Sequence, residues 1–509
     1  MARDPILALA RSALGFRRLR PGQREAVRAL LDGRDVLAVL PTGSGKSAIY
    51  QLAALRIPGP TVVVSPLVAL QRDQVEAIAR RRLAGGAGQA NATIPAGERR
   101  QAIEDFSAGD LEFLFLAPEQ LARSETLEQV VAARPSLLVV DEAHCISTWG
   151  HDFRPEYGRL GELREAMGRP LAVALTATAA PPVRREIIER LGLRDPVVVV
   201  RGFDRPNIHL AVERFSEADA KDDALVARVA AGDGGPGIIY AATRARTGEL
   251  AGRLAGAGVD AVAYHAGLRA ADRRAAQEAF MAGARTVIVA TTAFGLGIDK
   301  PDVRFVLHAD APDSLDAYHQ ELGRAGRDGR PAAAVLFYRP EDLGLRRFFA
   351  GGKPLGVEQL EGVARGEATG LSKARLDAAR NLLEQAGTAE AAAALEEDHR
   401  RVEQSRVEML RGYAEADACR RELLLTYFGE PFEPPCGACD NCEAGLAADP
   451  GPAPDEPPFE VDAKVRHKSW GPGRVLRYDG DRMVVLFDRA GYRTLSIATV
   501  LERKLLRTR

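Results

Sequence analysis

The run Pro41-Thr42-Gly43-Ser44-Gly45-Lys46-Ser47 sets a lysine and a hydroxyl behind two glycines, directly after the apolar stretch Val36–Leu40. A buried strand, a glycine turn and a helix start, in that order, make an anion site. Backbone N–H groups and the positive helix end converge on one point, and Gly43 and Gly45 let a polyphosphate approach the main chain. Thr42 and Ser44 belong to the same cradle, Lys46 reaches the outer phosphates, and the Ser47 hydroxyl holds Mg²⁺. The general pattern places Gly at position 40, where this chain has Leu40. A plain Gly/Ser turn beside a stray lysine is the competing reading. The strand ahead of it speaks against that, and so does composition, since only eight of the 69 basic residues are lysines and one sits here. The run reads as a nucleoside triphosphate site.

Val139-Val140 leads into Asp141-Glu142-Ala143-His144, and open α/β sheets bind ligands at the carboxyl ends of their strands. Beside a phosphate loop the acidic pair divides the labour. Asp141 holds Mg²⁺ through water, and Glu142 orients and deprotonates the attacking water. A single carboxylate at a strand end is commonly just solvated, but a pair behind four apolar residues is harder to dismiss. Hydrolysis also wants a cation on the charge that develops at the γ-phosphate. Gly323-Arg324-Ala325-Gly326-Arg327-Asp328-Gly329 supplies Arg324 and Arg327, hemmed by glycines; an arginine finger is worth ~10³–10⁵ in rate. On the residues alone, an Arg/Gly surface turn is an equal alternative.

Trp149, His151, Phe153, Arg154 and Tyr157 follow the acidic pair in a stretch without helix or strand periodicity. Aromatics beside a cation suit single-stranded DNA: bases stack at about 1–3 kcal/mol each, and Arg154 takes a phosphate. A packed corner is the plainer alternative. Cys419, Cys436, Cys439 and Cys442 give C-x₁₆-C-x₂-C-x₂-C. Two such knuckles present four thiolates to one ion and fill a tetrahedral Zn²⁺ shell with no open position, so the role is structural. Cys145, far off in sequence, reads as a buried thiol.

These groups need a frame. At 509 residues the chain exceeds one core and suggests three or four domains. Hydrophobic content of 46% and charged content of 27% are those of an ordinary globular protein. No apolar run is long enough to span a bilayer and Met1-Ala2-Arg3-Asp4 opens no signal peptide, so a cytoplasmic location is expected, with no membrane partner. A net charge of −1 requires any nucleic-acid surface to be local. Apolar segments at Val36–Leu40, Thr61–Val64, Phe113–Leu116, Leu137–Val140, Ala172–Leu175 and Val197–Val200 read as parallel strands buried on both faces. A second series follows at Gly237–Tyr240, Val262–Tyr264, Val287–Ala290, Phe305–His308 and Ala334–Tyr338. Two doubly wound α/β domains are expected from this alternation.

Taken together, DEAH at 141–144, Thr176-Ala177-Thr178 after a strand, and Gln320 through Arg327 resemble the ordered motifs of superfamily 2 helicases. Leu19-Arg20-Pro21-Gly22-Gln23, Ser65-Pro66-Leu67 with Asp73-Gln74, Cys145 through Tyr157, Phe203 through Ile208 and Ala293 through Ile298 are similar to those of the RecQ family of DNA helicases. The resemblance covers roughly residues 10–345, resumes near Arg406, and includes Cys419-Arg420-Arg421 and Tyr427-Phe428-Gly429-Glu430 of that family's zinc-binding subdomain. It implies an α/β fold of two RecA-like parallel-sheet domains (1–205, ATP-binding, and 206–345), then a helical zinc-binding subdomain; a small C-terminal β-barrel is expected after these from the strand-like alternation of the last fifty residues. The resemblance further implies that Phe16 and Arg20 sandwich adenine, that Gln23 selects it, that Arg327 is the arginine finger, and that the aromatic loop couples DNA binding to hydrolysis. Travel from 3′ to 5′, work in DNA repair and recombination, ATP, Mg²⁺ and Zn²⁺ as cofactors, and a nucleoid-associated monomer belong to the same expectation.

Between the second domain and the zinc region (405–446), residues 346–404 depart from the usual family layout. Glu358 to Gly387 has helix-turn-helix spacing: a turn at Thr369-Gly370-Leu371, a cap at Ser372, and Lys373, Arg375 and Arg380 as the residues that would face DNA, with an ordinary helical hairpin as the alternative. Residues 447–458 read as a Pro/Ala/Asp linker. The family's winged helix is not recognisable. Residues 459–509 instead carry 12 Lys/Arg against 6 Asp/Glu, with a hairpin turn at Asp479-Gly480-Asp481, and look similar to SH3- or Tudor-like barrels that bind nucleic acid or repair proteins. Two competitors stand beside a DNA helicase: a translocase or RNA helicase on the same motor, and a non-enzymatic zinc-stabilised DNA-binding regulator.

Overall fold

Strands that are apolar at every position must be covered on both faces, and the chain builds two parallel sheets from them. The computed structural model describes residues 4–508, apart from 42, 67, 84, 148–153, 233–234, 284–285, 295–299, 345–353, 368–369, 431, 448–456, 462 and 488–489. Two units divide the chain, residues 1–205 with 295–300 and residues 206–294 with 301–509.

The first unit holds β1 (Val36–Val39), β2 (Thr61–Val64), β3 (Ala87–Ala90), β4 (Phe113–Leu116), β5 (Leu137–Val140), β6 (Leu171–Thr176) and β7 (Val197–Val200). They form one all-parallel sheet in the order β3-β4-β2-β5-β6-β1-β7. β3 was not expected. Its residues Ala-Gly-Gln-Ala carry no apolar run, and pairing with β4 from Ala87↔Phe113 to Ala90↔Leu116 makes it a strand. The order sets the carboxyl ends of β1, β6 and β5 side by side, which is where the phosphate loop, Thr176-Ala177-Thr178 and Asp141-Glu142 lie.

The amino ends of β1, β6 and β7 are locked by a buried charge pair. Asp35 accepts from the Ala172 N–H at 2.9 Å and the Arg194 N–H at 3.0 Å, and Arg164 grips both its oxygens at 2.8 and 3.0 Å. Arg164 also donates to the carbonyls of Pro170, Leu191 and Gly192. Asp35→Ala strands a buried guanidinium and should cost about 3–5 kcal/mol. Urea-dependent hydrogen exchange should then show β1, β6 and β7 opening at a lower denaturant concentration than in the wild type; an unchanged midpoint would refute it.

In the second unit β8 (Ile208–Arg214), β9 (Gly237–Tyr240), β10 (Ala261–Tyr264), β11 (Val287–Ala290), β12 (Phe305–His308) and β13 (Ala332–Tyr338) form a parallel sheet in the order β10-β11-β9-β12-β13-β8. Helices Val357–Ala364, Lys373–Ala386, Ala389–Glu415 and Arg420–Tyr427 follow. Ser372 caps the second of these, its hydroxyl accepting from the Arg375 N–H, and Gly387 closes it at φ 79. Leu355, Leu360, Ala379, Ala389 and Ala392 form the small core of the first three. Helix Ala389–Glu415 is 27 residues long and runs unbroken through residues 404 and 405.

The C-terminal sheet is antiparallel, with β14 (Lys464–His467), β15 (Gly471–Asp479), β16 (Arg482–Phe487), β17 (Gly491–Ser496) and β18 (Leu506–Thr508) in the order β17-β16-β15-β14-β18. β15 and β16 turn at Gly480-Asp481, with Asp479 opposite Arg482. Val465, Val475, Met483, Val485 and Phe487 fill the inside, and β17 packs along helix Ala389–Glu415. No described helix is long and apolar enough to cross a membrane.

Candidate active site

Gly43 and Gly45 hold φ near 76° and 74°, a region that costs a side chain but not glycine. A Cβ on Gly45 would also press on Gln23 Nε2 at 2.9 Å. The buried Gln23 side chain donates to the carbonyls of Ser44 (2.8 Å) and Gly45 (2.9 Å), and its Oε1 accepts from the Arg20 N–H at 2.8 Å. The Arg20 guanidinium donates to the Gly43 carbonyl. Two residues expected to meet adenine therefore also brace the loop by holding its carbonyls. Phe16 is half-buried, with the Arg81 guanidinium 5.7 Å from its ring centre. Lys46 Nζ donates to the Leu40 carbonyl at 3.2 Å, and Ser47 opens the helix Ser47–Ala54. The Ser44 hydroxyl is buried with no hydrogen-bond partner among the described residues, as befits a donor in an anion cradle. Leu40, where the general pattern has Gly, points into the core against Gly22, whose hypothetical Cβ would stand 2.8 Å from Leu40 Cδ2. Its side chain thus leaves the loop clear. Thr42 lies outside the described residues.

At the end of β5, Glu142 adopts φ 47, ψ 47, a left-handed conformation for a residue with a full side chain. Such strain costs about 1–3 kcal/mol and gathers at active sites. Among the described residues Glu142 Oε2 is buried without a hydrogen bond, and His144 Nδ1 lies a long 3.4 Å from it. The Asp141 carboxyl is pushed up to about 7, chiefly by burial and then by the Glu142 carboxylate, with Lys46 opposing. Two crowded carboxylates opposed by one lysine fit a divalent cation, which Ser47 and Asp141 would hold and which would polarise the γ-phosphate. His144 Nδ1 lies 2.9 Å from Thr176 Oγ1, which in turn donates to the Thr178 carbonyl at 3.0 Å. The end of β5 is thereby tied to the end of β6. Sequence reasoning saw both motifs but not this link.

Of the aromatic loop, Arg154 is half-buried and its N–H donates to the Cys145 carbonyl at 3.0 Å. Trp149, His151 and Phe153 lie outside the described residues. Tyr157, grouped with them by sequence, is fully buried and its hydroxyl donates to the Asp141 carbonyl at 3.1 Å, so it is a strut and offers no ring to a base. Cys145 is buried, as expected.

In the second unit Arg324 is 3% exposed, its N–H donating to the Glu321 carbonyl at 3.1 Å and its guanidinium beside the Tyr240 hydroxyl. Glu321 Oε2 meets His308 Nε2 at 2.8 Å. Arg327 is half-buried. The loop carrying both arginines is pinned by Asn207, whose amide donates to the carbonyls of Gly326 (2.8 Å) and Arg330 (2.9 Å).

The thiols of Cys419, Cys436, Cys439 and Cys442 all lie within 4.8 Å of one another. A hydrogen bond from Cys419 brings Cys439 down to about 4 and pushes Cys419 itself up. Four sulfurs gathered this closely fit Zn²⁺, with all four cysteines as ligands. The knuckle docks on the edge strand β8. The Leu210 N–H donates to the Ala438 carbonyl at 3.2 Å, Asp440 Oδ2 accepts from the Val212 N–H at 2.8 Å, and Arg421 donates to the Ile208 carbonyl at 2.8 Å. Arg420, fully buried, holds Asp440 in place at 3.1 Å.

Comparison with known proteins agrees with this geometry. The DEAD/DEAH box helicase family matches residues 20–186, the helicase conserved C-terminal domain residues 220–329, and the RecQ zinc-binding family residues 376–443. The last match takes in almost all of helix Lys373–Ala386 and the whole of Ala389–Glu415. The chain is 37% identical to the ATP-dependent DNA helicase RecQ of Pasteurella multocida over 86% of its own length and 62% of the relative's. It is 36% identical to the probable ATP-dependent DNA helicase RecS of Bacillus subtilis, over 85% of this chain and 91% of that one. The chain spans less than two thirds of the Pasteurella multocida and Haemophilus influenzae relatives, 62% and 63%. Among solved structures, the helicase Lhr of Mycobacterium smegmatis bound to single-stranded DNA and AMP-PNP shares the fold at a TM-score of 0.52 and 21% identity, over 91% of this chain and 68% of that one. Motifs, sheets, thiol cluster and relatives agree: the chain belongs to the RecQ family of ATP-dependent DNA helicases.

Proposed function

We propose that the chain hydrolyses ATP to separate the strands of DNA, in repair and recombination. The observation that carries this is the strained Glu142 at the end of β5, its buried Oε2 without a hydrogen bond among the described residues, in the same sheet as a glycine loop braced to receive phosphates. Gln23 and Arg20 hold the loop carbonyls outward, which leaves its N–H groups for the triphosphate. Glu142 takes the proton of the attacking water, and Arg327, with Arg324 beside it, meets the charge that develops on the γ-phosphate. Residues 1–205 and 206–345 act as the two motor lobes, and their opening and closing converts hydrolysis into movement along one strand. Each base-pair step opposes the motor by about 1.4 kcal/mol, well within the reach of one ATP.

Arg154 together with Trp149, His151 and Phe153 grips the single strand. Trp149→Ala should keep ATP binding and lose most of the DNA-stimulated hydrolysis; a stimulated rate equal to wild type removes the loop from the mechanism. The same reading has the enzyme work as a nucleoid-associated monomer with repair proteins as partners. Unwinding of 3′-tailed against 5′-tailed duplexes, in DNA and RNA versions, tests the whole. Opening of the 3′-tailed DNA alone is expected. Opening of RNA favours the second motor reading, and no ATP-dependent opening of any duplex sinks the helicase.

A further inference from the structure

The register of the C-terminal sheet sets like charges against each other. On β14, Val465 and His467 turn inward, while Lys464 and Arg466 are exposed. Arg466 lies directly opposite Arg507 of β18, and Lys464 directly opposite Arg474 of β15. Among the described residues no ion pair holds Lys464, Arg466 or Arg507, and Arg507 is exposed like the other two. Cations directly opposite one another destabilise an antiparallel pair. The Arg466–Arg507 pair, with Lys464 two residues along the same face, offers an anion a site where it would relieve that repulsion. Lys468, Arg503 and Lys504, all exposed, extend the positive charge beyond the strand ends. Residues 459–509 carry 12 Lys/Arg against 6 Asp/Glu, whereas residues 1–458 carry 57 against 64, so the positive charge is concentrated where the pairs occur.

Spacing favours a polyanion over a single phosphate. Alternate residues of a strand stand about 6.6 Å apart and neighbouring strands about 4.8 Å, so Lys464, Arg466 and Arg507 form a grid of positive points. The grid occupies the β18-β14 edge of the sheet; it is β17, at the other edge, that packs along helix Ala389–Glu415.

We propose that this face, centred on Arg466 and Arg507, grips the phosphate backbone of DNA as a second, sequence-independent contact outside the motor. The proposal rests on the reading of the chain as a DNA motor. It is tested on full-length, zinc-loaded protein by fluorescence anisotropy of a labelled tailed duplex at 50–200 mM salt without nucleotide, wild type against Arg466→Gln/Arg507→Gln. Loss of two phosphate contacts should make the slope of log K against log salt shallower by about 1.4–1.8, alike for unrelated sequences. The Arg466→Lys/Arg507→Lys protein, which keeps the charge, should retain the wild-type slope. An unchanged slope in the glutamine variant overturns the proposal, and so does a lysine variant that fails as the glutamine one does. If the glutamine variant keeps its DNA slope but loses a poly-glutamate peptide that the wild type binds, the face docks acidic protein and the proposal is equally overturned. DNA-stimulated ATP turnover at saturating DNA should be the same in all three proteins. Its absence in the wild type defeats the motor reading, while the salt slopes still decide the face.

Discussion

Glu142→Gln should bind ATP as tightly as the wild type and hydrolyse it about 10²–10⁴-fold more slowly, the usual contribution of a positioned general base. The substitution keeps the side chain's shape and removes only its ability to take a proton. It also leaves the local strain alone, because a glutamine at φ 47 is no more comfortable than a glutamate. Thermal stability should therefore hold, which separates this outcome from a folding defect. Lys46 still opposes Asp141 and the loop carbonyls are still held by Gln23, so the nucleotide keeps its seat. Single-turnover hydrolysis alongside binding of a fluorescent ATP analogue measures the two effects separately. A variant that turns over within about threefold of wild type would show that water is activated elsewhere, since that is far short of what a base contributes.

Zinc removal should be the largest perturbation of stability. Structural Zn²⁺ ties up on the order of 10 kcal/mol in folding, and Cys439→Ser removes one of the four ligands, the one that also pairs with β8. The damage should not stay local. Cys439 bridges to Leu210, and the neighbouring Ala438, Asp440 and Arg421 supply hydrogen bonds to Leu210, Val212 and Ile208 on the outer side of β8. Amide exchange at Ile208–Arg214 should accelerate as soon as the ion is chelated, while β1, β6 and β7 in the first unit keep their protection. If β8 stays protected in the chelated protein, the knuckle is an ornament on the sheet and this account fails.

The chemistry was more legible in the sequence than its supports. Strands such as Phe113–Leu116 and Phe305–His308 could be placed residue by residue because burial on both faces leaves an unbroken apolar run. β3 and β8 escaped because neither Ala-Gly-Gln-Ala nor Ile-His-Leu-Ala-Val-Glu-Arg shows the buried signature; pairing with a neighbour at the sheet edge makes each a strand. The four cysteines were readable from spacing alone, since thiolates at knuckle distances have few other uses. Tyr157 was misgrouped because an aromatic residue in a polar stretch looks the same whether its hydroxyl braces a backbone carbonyl or its ring awaits a base. The boundary set at 404/405 falls within one helix, and nothing in an even Ala/Glu/Arg pattern marks where its neighbours change. The Leu40–Gly22 contact lies between positions 18 apart and has no local trace at all.

Helix Ala389–Glu415 has a mechanical consequence. At 1.5 Å per residue its 27 residues reach about 40 Å, with the helical hairpin at one end and Tyr413, beside the zinc knuckle, near the other. β17 of the C-terminal sheet leans on the same rod. Both appendages therefore hang from a single cantilever rooted in the second sheet's own unit. A tilt of about 5° at the root of such a rod would displace the hairpin tip by about 3.5 Å.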